Sequence, residues 1–165
     1  MESNNILYLP SPVGTLRLEA DQHGICLLAF CHTDVEYPES PASPLLTEAK
    51  RQLDEYFAGK REIFSLPLSF QGTAFQIRVW EALQRIPYGE TWYYGQLAEA
   101  VGNPRACRAV GMANHRNPLP ILIPCHRVIG KNGSLTGYGG GLHIKEKLLA
   151  LEQRMRKENG EKNDE

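Results

Sequence analysis

Apolar positions alternate or run together at the start of the chain and settle into helical spacing further on. Ile6–Leu9 and Thr15–Ala20 flank Pro10-Ser11-Pro12-Val13-Gly14, which predicts a hairpin with a breaker-rich turn. Gly24 opens a third strand that runs through Phe30, and prolines 38, 41 and 44 among acids and serines make 33–44 a surface loop. Leu45, Leu46, Ala49, Leu53, Tyr56 and Phe57 then recur at three and four, the mark of an amphipathic helix, which Gly59 ends. Ile63–Leu68 predicts a fourth strand. Gln71-Gly72 reads as a linker, so a small sheet-and-helix domain is expected over 1–70.

The second half is helical in pattern. Thr73 and Gln76 have capping-box spacing, and the helix they open buries Phe75, Val79, Trp80 and Leu83 before Pro87-Tyr88-Gly89-Glu90 stops it. A second helix, about Tyr94 to Val101, ends at Gly102-Asn103-Pro104. A third follows from Arg105 to about His115, which makes a helix-turn-helix. Arg105 and Arg108 lie three apart with Met112 one turn on, so one face presents two cations and an apolar side chain. The run Ile121-Leu122-Ile123 predicts a buried strand that stops at Pro124 and holds Cys125 at its end. Six glycines from Gly130 to Gly141 surround Tyr138 and let backbone approach a ligand closely. Ile144, Leu148, Leu149 and Leu151 build a last helix that carries Glu152 into an apolar setting. From Arg154 on, mixed charge without aromatics predicts fraying. The second domain is therefore placed at 71–157, with a disordered tail at 158–165.

A chain of 165 residues can bury a core for one domain or two small ones. Its 18 basic and 19 acidic side chains nearly cancel, but they are unevenly spread. Residues 101–147 hold seven Lys or Arg against Glu146 alone, whereas 1–100 hold seven against thirteen acids, so one face of the second half is expected to meet an anion. The four cysteines show no paired spacing, as in reduced thiols of a cytosolic protein. Cys26, Cys31 and His32 lack a fourth ligand at sensible spacing, so neither a metal nor another cofactor is expected. Met1-Glu2-Ser3-Asn4-Asn5 lacks the features of a signal peptide, and the longest apolar run, Ile25 to Cys31, is too short to cross a bilayer. No membrane partner and a cytoplasmic location are expected.

The chemistry concentrates at Cys125. A neighbouring imidazole (His126) and guanidinium (Arg127) favour a thiolate, the form that acts as nucleophile. Thr73-x-Phe75-Gln76, Val79-Trp80, Ile86-Pro87-Tyr88-Gly89-Glu90-Thr91, Arg108-Ala109-Val110-Gly111, Asn117-Pro118, Pro124-Cys125-His126-Arg127-Val128-Ile129-Gly130 and Gly137-Tyr138-x-Gly140-Gly141-Leu142 together resemble the O6-alkylguanine-DNA alkyltransferases. The likeness is continuous over about 73–152 and only general over 1–70.

The resemblance implies an α/β (α+β) fold, with a small ribonuclease H-like N-terminal domain and a winged-helix-like C-terminal domain that carries the helix-turn-helix. It implies a monomer that repairs double-stranded DNA containing O6-alkylguanine. Cys125 would accept the alkyl group, His126 would draw off its proton through a water, and Glu152 would orient that imidazole. Asn117 would brace the turn, and Tyr94 would supply a proton to the leaving guanine. Arg108 would fill the stack where the nucleotide has left. Arg105 and Arg127 are expected to meet DNA with it, and Tyr138, Gly139 and Gly140 to wall the pocket. Tyr93 stands where Ser or His is more usual in the family. The alternative is an alkyltransferase-like protein that binds the lesion without chemistry, but such proteins replace the cysteine that this chain keeps.

Overall fold

The computed structural model describes residues 5–31, 43–133, 138 and 140–163, the last five as backbone only. The chain divides into two units, Met1–Phe70 and Gln71–Glu165.

In the first unit, strands β1 (Asn5–Leu9), β2 (Thr15–Ala20) and β3 (Ile25–Cys31) form an antiparallel meander. Leu9 pairs with Leu16 and Leu18 with Leu28, so alternate side chains reach one face. That face is covered by α1 (Pro44–Phe57), which contributes Leu46, Ala49, Leu53 and Tyr56 to the core. Ser43 caps α1 by accepting from the Leu46 amide, and Pro44 fits the first turn, where its missing N–H costs nothing. The loop expected at 33–44 lies, up to residue 42, outside the described residues.

The fourth strand expected at Ile63–Leu68 does not form. Only Leu68 bridges Ile25, and Ile63 is 78% exposed. Pro67 cannot donate to a ladder, and the buried Gln52 amide takes the place of a strand neighbour by pairing with both backbone groups of Ser65.

The second unit opens with α2 (Ala74–Leu83), whose capping box is complete: Gln76 N–H donates to Thr73 Oγ1 and Thr73 N–H to Gln76 Oε1. Next come β4 (Trp92–Tyr93), α3 (Tyr94–Ala100) and α4 (Cys107–His115). Between α3 and α4, Gly102 takes a φ of 84° that a side chain would resist. Trp80 of α2 donates its indole N–H to Ala113 O at 2.8 Å, tying α2 to α4.

Helix α4 begins two residues later than the spacing predicts. Asn103-Pro104 makes a turn, closed by the Ala106 N–H on Asn103 O, and Arg105 lies in that turn ahead of the helix. Strand β5 (Val128–Ile129) pairs in parallel with β4, Trp92 opposite Val128. Helix α5 (Leu142–Asn163) runs past residue 157, so the described part of 158–165 is helical where disorder was expected. Its Lys, Arg and Glu residues are strong helix formers, and extending an existing helix needs no new nucleus.

Candidate active site

The segment from Asn117 to Arg127 is a bracket of turns rather than the predicted strand. Prolines 118, 120 and 124 have no N–H to give a ladder, and Ile121 adopts a φ of 74°. Pairing collapses to a single bridge between Pro120 and Ile123. Asn117 holds the bracket together: its Nδ2 donates to Ile123 O (2.7 Å) and its Oδ1 accepts from the Leu119 amide (2.9 Å). Pro124, at φ −79° and ψ 64°, forms an inverse γ-turn in which the Cys125 amide donates to Ile123 O at 2.7 Å. Cys125–Arg127 then make one turn of 3-10 helix, all three residues buried.

A 3-10 turn sends consecutive side chains in different directions. Here it directs His126 and Arg127 toward one acceptor, Glu152 of α5. His126 Nε2 lies 2.6 Å from Glu152 Oε2, and Arg127 Nε donates to Oε1 at 2.8 Å. Arg127 Nη2 reaches Oε2 (3.2 Å), and the Gly89 amide donates to Oε1 (3.2 Å). Gly89 can turn its N–H inward because it takes a φ of 79°, and a side chain there would strike Arg156. Arg127 was expected on the DNA face. It is 6% exposed, and its Nη1 is also committed to Ile86 O (2.7 Å), so the guanidinium is an internal partner of the carboxylate.

Burial alone would raise the Glu152 carboxyl, but the bonds and charges of His126 and Arg127 outweigh it and hold the group well below the usual carboxylate range. Burial lowers His126, and the Arg127 and Lys145 charges add to that against the pull of Glu152. The site therefore rests as carboxylate and neutral imidazole. With Glu152 ionised, Nε2 must carry the proton, so Nδ1 keeps a lone pair; it makes no hydrogen bond to any described residue.

The thiolate expected at Cys125 is not the resting state. Burial pushes the thiol up to about 11, and the Asn117 hydrogen bond and the Lys145 charge only partly oppose it. Arg127 is not among the groups that lower the thiol; its guanidinium faces Glu152. The cation that does act on Cys125 is Lys145, fully buried, with Nζ donating to Val128 O at 2.6 Å. Sequence reasoning missed it, although Lys145, Leu148, Leu149 and Glu152 share one helical stripe. It also missed Asn114, buried on α4, whose Nδ2 lies 3.5 Å from Cys125 O.

Tyr138 is buried nearby; desolvation lifts its phenol well above the usual value, an ionised Cys125 would add to the shift, and the Glu152 charge adds to it. Gly140 is buried, and Gly139 lies outside the described residues. Tyr94, half-buried in the first turn of α3, lays its ring against Gly111 of α4. The structure thus brings Cys125, His126, Asn117, Glu152 and Tyr138 together. Arg105 and Arg108 are exposed around the start of α4, with Met112 63% exposed one turn beyond Arg108.

Residues 74–154 match the family described as 6-O-methylguanine DNA methyltransferase, DNA binding domain, and residues 6–70 match its ribonuclease-like domain. A methylated-DNA-protein-cysteine methyltransferase of Methanosarcina acetivorans is 51% identical over 146 residues, spanning 86% of this chain and 94% of its own length. The constitutive methyltransferase of that name from Bacillus subtilis is 52% identical over 151 residues, 87% of this chain and 92% of its own. Among solved structures, Mycobacterium tuberculosis O6-methylguanine methyltransferase superposes with a TM-score of 0.83 at 43% identity, covering 93% of this chain and 94% of that one. M. tuberculosis OGT in complex with DNA superposes at 0.80 and 45%, covering 90% and 92%.

Proposed function

The chain belongs to the 6-O-methylguanine DNA methyltransferase family and is a methylated-DNA-protein-cysteine methyltransferase of DNA repair; from that premise we propose how its own residues take an alkyl group from guanine. Its partner is DNA, and the lesion is O6-alkylguanine in a duplex, engaged by one molecule in the cytoplasm. No described helix is long and apolar enough to cross a membrane.

The target bond lies inside the base stack, so the nucleotide must be flipped out at a cost of about a few kcal/mol. Arg108, exposed on α4, fills the vacated step, and Arg105 and Met112 flank it. The flipped base enters beside Cys125, with Tyr138 as part of the wall.

The Cys125 thiol is mostly protonated at neutral pH, so its proton has to leave as the reaction proceeds. His126 Nδ1 takes it through a water, and Glu152 stabilises the imidazolium that forms. Sulfur then attacks the alkyl carbon in line, the S–C bond forms, and the C–O6 bond breaks. Tyr94 passes a proton to the guanine so that it leaves neutral. A thiolate is a poor leaving group from an unactivated thioether, so the S–C bond persists and each molecule reacts once.

The observation that supports this reading most directly is the buried Cys125-His126-Glu152 arrangement, in which the carboxylate fixes Nε2 as donor and keeps Nδ1 as acceptor. The alternative of a lesion binder without chemistry is not favoured, because both the cysteine and its base are in place. Intact mass after incubation with O6-methylguanine DNA tests the proposal. One added methyl group per chain, mapped to Cys125 and absent from Cys125→Ser, is expected. Sustained turnover, or transfer by the serine variant, would overturn it.

A further inference from the structure

We infer that Arg127 is a positioning residue of the transfer reaction: its charge against Glu152 helps keep His126 neutral at rest, with Nδ1 available for the thiol proton, and its two-point fork fixes the carboxylate that orients the ring. The inference rests on His126 being the base. Its starting point is that Glu152 binds two cation-capable partners at once in a buried site.

A buried carboxylate needs a compensating charge, and either neighbour can supply it. Arg127 does so through Nε on Oε1 and Nη2 on Oε2, a forked geometry that an ammonium cannot copy. Glutamate and guanidinium sum to zero, so a proton added to His126 would be a further buried positive charge beside Lys145 with no anion left to balance it. Without the guanidinium, the pull of the same carboxylate on His126 would be opposed only by burial and the Lys145 charge, so its protonation would begin at higher pH, and a protonated His126 has no lone pair with which to act as base. Burial already disfavours the imidazolium, and Arg127 adds to that by answering Glu152 in its place.

The other titratable groups around the imidazole do not reverse this. Lys145, from α5, adds positive charge and works in the same direction; Cys125 and Tyr138 rest protonated and neutral. Arg127 is itself fixed by the Ile86 carbonyl and by the ring of Tyr88, 5.7 Å from its guanidinium carbon. Those contacts and the Gly89 amide on Oε1 join the turn after α2 to the carboxylate. The orientation of Glu152 is thus set from two sides before any substrate arrives.

The test is the pH dependence of single-turnover methyl transfer by the full chain, with rates referred to the fraction that can be methylated. Arg127→Gln should move the acid limb of the profile upward by about 1–2 pH units, the range that a neighbouring charge commands. That shift lowers the rate near the limb about tenfold or more. Arg127→Lys, which keeps the charge but not the fork, should leave the limb in place and lower the plateau several-fold. A limb that stays put in Arg127→Gln, or moves equally in Arg127→Lys, overturns the inference. Should Arg127→Gln fail to fold, the lysine variant and the ring 15N shifts of His126 in the unaltered protein decide. A neutral ring with its proton on Nε2 at pH 7 is expected, and a doubly protonated ring overturns the clamp. A profile for the unaltered protein with no acid limb would remove His126 as base and the inference with it, whereas a limb indifferent to residue 127 removes the inference alone.

Discussion

Two charge networks in this chain are built from the same residue types and do opposite work. On α1 of the first unit, Arg51 reaches both Glu48 and Glu55, Lys50 pairs with Asp54, and Arg61 joins Glu55 at 3.0 Å. All lie at or near the surface, and all but Arg61 are spaced along the helix. In the second unit Arg127 and His126 meet Glu152 out of reach of solvent. Water screens the first set, so each pair contributes little and can be remade if one partner moves. The second set has no such reserve. Its members fix one another's protonation state, and for that reason it can hold a base ready beside a thiol.

The sharpest way to break that contrast is Glu152→Gln. It leaves Arg127 as a buried cation without its anion and deprives His126 of its charged acceptor. Removing one partner of a buried pair costs about 3–5 kcal/mol. Thermal unfolding should show a large loss, and any folded fraction should transfer methyl groups at least about 100-fold more slowly at neutral pH. An unchanged pH–rate profile would make Glu152 a helix residue that only happens to be near. The same group predicts the acid behaviour of the unaltered protein. Its folded value lies below the unfolded one, so its stabilisation is present above the unfolded value of about 4.3 and lost progressively as pH falls beneath it.

Next in size is Arg108→Ala. If this exposed cation holds the gap in the stack, repair of duplex DNA should slow on the order of tenfold or more, while reaction with free O6-alkylguanine base changes little. Equal slowing of both would assign Arg108 to the pocket or to folding. Binding should weaken with salt only moderately, since few cations are offered to phosphates.

A smaller effect is expected from the reaction itself. Methylation turns the Cys125 sulfur into a poor acceptor for the Asn117 side chain that bonds it, and a buried polar group short of a partner costs about 1–3 kcal/mol. At about 2–4 °C per kcal/mol for a chain of this size, the methylated protein should melt several degrees lower, and bulkier adducts lower still. A methylated form that melts at or above the unreacted one would show that the thiol network is not stabilising. The smallest change should come from Glu55→Gln on α1, with a melting temperature within about 2 °C and transfer unaffected. A loss comparable to that of Glu152→Gln would erase the distinction between the two networks.

Much of this was readable from the chain. The capping box at Thr73, the helix-turn-helix and the approach of Glu152 to His126 rest on local spacing or on the family likeness, and they appear as expected. The interior cations were not readable. Arg127 beside a cysteine reads as a surface charge, and only the 3-10 turn shows that it points inward. Lys145 lies on a stripe that sequence periodicity marks as apolar, and nothing local says which carbonyl it will find. The segment at Ile121-Ile123 was misread because apolar composition says strand, whereas three prolines deny a ladder its donors. Strands β4 and β5, two residues each, are too short to leave any period.

The left-handed backbone at Ile121 has a consequence for how the nucleophile is carried. A β-branched residue there costs about 1–3 kcal/mol, and glycine would adopt the shape without penalty. The side chain, however, is 1% exposed, and burying it is worth about 1.5–3 kcal/mol, so it works as a peg that keeps the loop taut. Glycine at this position would relax the backbone and also withdraw the peg, leaving slack in the segment that aims the sulfur.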